Sequence, residues 1–214
     1  MGAFSGSLTY KLFFVQGDPP DNWKKLFVER VNLNAFEELQ PDSDDDESIG
    51  WVPLEQPLET QFDMPDMIYD SFLNLGLRRD RWSLPKALRD AHVAEAEKEY
   101  RQKNDKDKLS KYEREDIEHM VLRRLREKTL PKMRVIDMSW NVRSGRVRFW
   151  SHANKLGELF QGLFHETFEM ELMPSSPYVN AVEQGLASHR VEQLQVAEPT
   201  NFIEPEEPVR QVED

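Results

Sequence analysis

The sequence predicts an α+β protein: antiparallel sheets built from a β-α-β-β unit and a β-β-α-β unit, with a long helical hairpin arm inserted in the middle. Three observations predict it. Short segments with two-residue apolar alternation or short apolar runs lie toward both ends of the chain. Each group contains one amphipathic segment of helical spacing that can cover a sheet face. The stretch between them, 85–129, is highly charged and carries helix signals throughout.

Taken in order, "GSLTYKLFFV" (6–15) alternates and then runs apolar, with aromatic and β-branched residues, as a strand does. "GDPPD" (17–21) is a turn that offers Asp21 as an N-cap. Behind it Trp23, Leu26, Phe27, Arg30 and Val31 fall at helical spacing, which predicts a helix over 22–33. "QPDSDDDES" (40–48) reads as a solvated, mobile acidic loop. "IGWVPLE" (49–55) and the segment 67–82 read as strands. Pro85 opens a helix to about 103, since proline is tolerated in a first turn. Ser110 and Glu113 form a capping box for a second helix, 111–129, with Ile117, Met120, Val121 and Leu125 on one side. After Pro131 come two strands joined by Arg143-Ser144-Gly145, then a helix to about 165 capped by Ser151. A strand "TFEMELMP" and a short helix from Pro177 follow. Residues 1–82 and 131–190 thus form the α+β centre and 83–130 the arm. The Pro- and Glu-rich 191–214 is expected to be a disordered acidic tail.

With 38% hydrophobic and 32% charged residues among 214, the core must be modest and the surface heavily charged. The absence of cysteine excludes disulfides, thiolate metal sites and Cys nucleophiles, and suits a reducing compartment. No apolar run approaches the roughly 18 residues of a membrane span. The expectation is a soluble cytoplasmic protein. Its net charge of −12 is unevenly distributed. Residues 1–77 hold 4 Lys and Arg against 15 Asp and Glu, 78–134 hold 18 against 12, and 135–214 hold 6 against 13. The middle of an acidic chain is therefore basic, and nucleic-acid binding depends on a local patch rather than on the total.

Catalytic signatures are missing: the chain has no P-loop, no G-x-G-x-x-G and no G-x-S-x-G. His165-Glu166-Thr167-Phe168-Glu169 begins like a zinc-protease helix, but Glu169 stands where the second His belongs. Acidic pairs such as Asp63/Asp66 and Glu169/Glu171 follow from an acidic composition and do not define acid–base chemistry. No enzyme activity, metal or other cofactor is expected.

The basic segment carries more. Arg78, Arg79, Arg81 and Trp82 lead into Lys86 and Arg89, and Arg123, Arg124, Arg126, Lys132 and Arg134 return along the other leg. If the legs are antiparallel, both sets meet at the arm's base, as phosphate neutralisation requires. Trp82 would be a base-stacking support or part of the core. Pairs such as Arg114–Glu118 and Arg123–Glu127 favour the other reading, a self-paired solvated arm.

The run "GWVP" (50–53), the "LP" that opens a charged helix at 84–85, a second helix ending in Leu130-Pro131, an Ile136-Asp137 in the next strand and a later "LMP" (172–174) together resemble the recombination-associated protein RdgC family. The resemblance covers roughly 8–186. It implies an α+β centre with a protruding helical region and a homodimeric ring through which DNA passes. It also implies binding to single- or double-stranded DNA without strong sequence preference, and antagonism of the recombinase RecA by occupying DNA at the nucleoid. Against the family this chain resembles a short, C-terminally truncated variant with a more acidic end, which puts ring closure in question. The competing expectation is a protein-interaction module on the same fold that has lost DNA binding.

Overall fold

The computed structural model describes residues 9–61 and 63–197. The chain divides into two units, Met1–Pro174 and Ser175–Asp214.

The first unit is α+β with one antiparallel sheet. Its elements are β1 (Lys11–Val15), α1 (Trp23–Leu33), β2 (Glu47–Val52), α2 (Met64–Met67), β3 (Ile68–Tyr69), β4 (Phe72–Arg81), α3 (Lys86–Lys103), α4 (Lys111–Arg126), β5 (Lys132–Asn141), β6 (Arg146–Phe149), α5 (Asn154–Phe168) and β7 (Leu172–Pro174). The strand order is β2-β4-β5-β6-β1-β7, with β3 added on β4, and every pairing is antiparallel. The two groups of strands expected from the sequence are one continuous sheet. β4 and β5 join them over ten residue pairs, from Phe72↔Asn141 to Arg81↔Lys132. The arm α3–α4 replaces the turn of that long hairpin.

One face of the sheet is apolar. Trp51, Leu73, Leu75, Leu77, Ile136, Met138 and Trp140 alternate inward along β2, β4 and β5. They meet Phe27 and Val31 of α1 and Leu156, Phe160, Phe164 and Phe168 of α5, all buried. The α5 spacing puts its aromatic residues on one stripe, and each buried Phe contributes on the order of 1.5–3 kcal/mol. Phe160 stacks on Phe149 at 4.2 Å, and Phe27 stacks on Trp140 at 5.3 Å. Trp51 Nε1 donates to Thr167 Oγ1 at 2.8 Å, which satisfies a buried indole. Arg30 closes the layer by donating to the Phe168 carbonyl at 3.1 Å and to Glu169 at 2.6 Å.

Several boundaries differ from those the sequence predicts. The strand expected over 67–82 is broken: α2 and β3 precede β4, and Asp70, at φ 54°, makes the turn between β3 and β4. "TFEMELMP" continues α5 as far as Phe168, because Thr167 and Phe168 extend the buried stripe. Glu169 ends that helix in the left-handed conformation at φ 55°, which leaves only Leu172–Pro174 as strand. The N-cap of α1 is Asn22 rather than Asp21, and that of α5 is Ala153. Ser151 instead accepts from the Ala153 amide at 3.3 Å. The acidic loop is anchored rather than free: the Trp82 amide donates to the Asp46 carbonyl at 3.0 Å. Gly50 permits the close passage of 35–36, since a Cβ there would lie 2.4 Å from the Phe36 Cα.

The arm packs through Ile117, Val121 and Leu125 of α4 against Val93, Ala96 and Tyr100 of α3 and against Leu84 and Leu109. Met120, expected with them, is 48% exposed. Ser110 and Glu113 form the expected capping box. The Glu113 carboxylate also accepts from Lys106 at 2.5 Å.

In the second unit, α6 (Pro177–Glu183) is capped by Ser176, which accepts from the Val179 amide at 3.1 Å. Residues 188–195 form α7 (Ser188–Gln195), so the tail expected from 191 begins as helix. The rest of that expectation, 198–214, lies outside the described residues.

Two outcomes follow for the arm. Ser110→Ala should lower its stability by about 1 kcal/mol, read as lost helicity on heating. The Lys106 ammonium and the Ser110 donors lower the Glu113 carboxyl from 4.5 to about 2. The cap's electrostatic contribution is then complete above pH 4.5 and is lost as pH falls toward 2. Glu113 in turn raises Lys106 above 10.5, so its contribution is present below that pH and is lost as pH rises through the raised value. Arm helicity titrated by circular dichroism at low salt checks both signs.

Candidate nucleic-acid interface

The β4–β5 ladder changes chemistry along its length. Cross-strand partners share a face, and on the core side the sequence of pairs is Leu73↔Trp140, Leu75↔Met138, Leu77↔Ile136, Arg79↔Arg134 and Arg81↔Lys132. Helices cover the apolar pairs. The last two pairs extend the same face toward the arm and set like charges directly opposite each other.

β2 adds Glu47 opposite Arg81. The Glu47 carboxylate accepts from Arg79 Nε at 3.2 Å and from the same guanidinium through a second nitrogen. The Arg79 bond, with the charges of Arg79, Lys155 and Arg81, holds the Glu47 carboxyl below its usual range. Lys155, in the first turn of α5, therefore belongs to the same electrostatic neighbourhood. It was not singled out from the sequence, because only the fold over of α5 onto the sheet brings it there. Arg81, Lys132, Arg134 and Lys155 are exposed, and among the described residues none forms an ion pair of its own. The α5 N-terminus has no side-chain cap, so its positive dipole end and free amides stand beside these cations.

The other expected phosphate ligands are placed differently. Arg78 points to the opposite face and is only 6% exposed. It donates to both oxygens of Asp80, at 3.1 and 2.6 Å, and to the Pro57 carbonyl at 3.1 Å, with its guanidinium 3.9 Å from the Phe36 ring centroid. Strand alternation puts residues i and i+2 on one face, which makes Arg78 and Asp80 partners by construction. Trp82 is buried rather than presented as a stacking platform, with the Arg126 guanidinium 5.8 Å from its ring. Arg126 is also buried, donating to the Ser43 carbonyl and to Asp46 Oδ1, each at 2.6 Å. Arg123 pairs with Glu127 along α4 at 3.2 Å, and Arg89 with its neighbour Asp90 at 3.2 Å. Lys86 and Arg124 are exposed on the arm.

The expected patch thus separates into cations used inside the fold (Arg78, Arg79, Arg126), cations paired on helix surfaces (Arg89, Arg123), two exposed arm cations (Lys86, Arg124) and an exposed group at the basic end of β4–β5. Among the described residues no three His, Asp or Glu side chains converge as a metal site. No helix among them is long and apolar enough to cross a membrane.

No protein-family model matches the chain, and a search of curated proteins finds no match. The likeness to the RdgC family rests on the short motifs quoted above.

The division among arginines has a direct test. Arg78→Gln leaves Asp80 buried without its partner and should cost about 3–5 kcal/mol, read as a lower urea midpoint. Arg134→Gln relieves a like-charge pair and should leave stability unchanged or raise it by up to about 1 kcal/mol.

Proposed function

We propose that this chain binds the phosphate backbone of DNA without base preference, through Arg81, Lys132, Arg134 and Lys155, and acts non-catalytically. The observation that carries this reading is the pair of like-charge cross-strand contacts, Arg79↔Arg134 and Arg81↔Lys132. Such pairs work against folding. The exposed members of these pairs, Arg81, Lys132 and Arg134, with Lys155 at a helix N-terminus, suit polyanions, which neutralise the repulsion and release counterions on contact. Contacts from these side chains to phosphate oxygens would fix position on the nucleic acid and carry no sequence information. The RdgC-like motifs supply the biological setting: a homodimer in the cytoplasm, associated with the nucleoid, that limits RecA-dependent recombination or replication by occupying DNA.

A second reading has its own observation. Leu130 is 90% exposed and Met133 48% exposed, both beside the arm's base, and much of the expected cationic patch is spent on internal partners. That combination suits a protein-interaction module on the same fold.

Fluorescence anisotropy with labelled single- and double-stranded oligonucleotides over a salt series separates the two. The DNA reading expects binding at low salt with little dependence on base sequence. It also expects log K to fall with log salt at a slope of about −3 to −4 for duplex, as three or four phosphate contacts give. Lys132→Glu with Arg134→Glu should abolish that binding, whereas Lys98→Glu with Lys103→Glu on the arm should leave it nearly unchanged. Absence of binding at low salt would favour the protein-interaction module.

A further inference from the structure

The acidic segment 42–47 carries Asp42, Asp44, Asp45, Asp46 and Glu47, a self-repelling run unless cations hold it. Consecutive residues of this run take two arginines at the arm's base. Glu47 binds Arg79, and Asp46 with the Ser43 carbonyl binds Arg126. We propose that this segment is a built-in competitor of nucleic acid, holding by carboxylate the guanidinium groups that a phosphate would otherwise take. The inference rests on the DNA-binding reading above and adds its regulation.

Three features identify the segment as a displaceable occupant rather than a permanent structural partner. First, the Asp46 side chain is 77% exposed while that of Arg126 is 9% exposed. The carboxylate end of this pair stands in water, where an ion pair is weak and readily exchanged. Second, the occupant leaves donors unused: Arg126 Nε and the neighbouring Trp82 Nε1 are buried without hydrogen-bond partners. Buried unpaired donors are costly, and a tetrahedral anion offers more acceptor oxygens than the single carboxylate oxygen and carbonyl now engaged. Third, the segment does not close tightly on the arm. A cavity of about 490 Å³ lies between them, lined by Asp42, Asp44, His119, Arg123 and Arg126 among others. It gives the side chains of 42–46 room to move off α4 while the Trp82 amide keeps its bond to the Asp46 carbonyl. Arg78, by contrast, is locked by a nearly buried carboxylate on its own strand and takes no part in the exchange.

Competition within one chain lowers apparent affinity by the fraction of molecules in which the cations are free. Neutralising the competitor should therefore raise affinity and increase the number of phosphates engaged. Asp46→Asn with Glu47→Gln should tighten oligonucleotide binding at least tenfold at low salt. The duplex salt slope should steepen by about 1–2, as Arg79 and Arg126 join the contact. Asp46→Asn alone, which keeps an acceptor oxygen beside Arg126, should give the smaller part of the effect with the fold intact. Glu55→Gln with Glu59→Gln removes the same charge elsewhere and should change affinity less than about twofold with no change in slope. In the wild-type chain, saturating oligonucleotide should speed amide hydrogen exchange over 42–46 as the loop is displaced. Equal gains from both double variants, or unchanged exchange with DNA bound, would overturn the competition and leave DNA binding standing. If neither wild type nor variants bind at low salt, both the competition and the DNA-binding reading fall.

Discussion

The ten-residue pairing of β4 with β5 is the constraint on which the rest of the molecule depends. It joins the strands before the arm to those after it and places α1 and α5 on a common face. It also sets where the arm leaves the sheet. Because cross-strand partners share a face, one register decides two things at once. The Leu77↔Ile136 end must be covered by helices, and the Arg81↔Lys132 end must not be. A slip of one residue would exchange Leu77 for Arg78 beneath α5 and send the core to the solvent side. The apolar half of the ladder is what allows its basic half to carry repulsive pairs.

The fate of each arginine is set by the nearest carboxylate. Arg78 has Asp80 two residues away on the same face, so the pair is made as soon as the strand forms and is then buried with Phe36 over it. Arg79 and Arg126 find their carboxylates at the beginning of β2 and in the loop before it, through contacts that form only when that strand docks. Arg81, Lys132, Arg134 and Lys155 make no ion pair among the described residues, because Glu47, the carboxylate opposite Arg81, is taken by Arg79. These four stand at the open end of a sheet face beside a helix N-terminus. The acidic loop then acts as neighbour and rival of the same surface.

Much of the architecture was legible in the sequence. The arm followed from Pro85, the Ser110/Glu113 box and the spacing of Ile117, Val121 and Leu125, all local signals. The sheet strands followed from alternation, and α1 from its apolar stripe. The end of α5 was misplaced because "TFEMELMP" alternates as well as it continues a helix, and only burial of Thr167 against Trp51 decides between the two. The candidate site was half legible. Clustering of basic residues at the arm's base was visible as charge along the chain. Which of them are free was not, since that depends on β2 docking against β4. The Asp80 beside Arg78 was the one local clue to an internal role. Lys155 had no such clue.

Lysine labelling tests the central claim most directly, because the basic end of the ladder and the arm each carry their own lysines. Wild-type protein would be reductively methylated with and without a saturating oligonucleotide, and protection quantified residue by residue. Protection of Lys132 and Lys155, with Lys98, Lys103 and Lys108 labelled as freely as in the unbound protein, is the predicted result. Protection of the arm lysines, with Lys132 and Lys155 still reactive, would contradict it and move the interface to the arm.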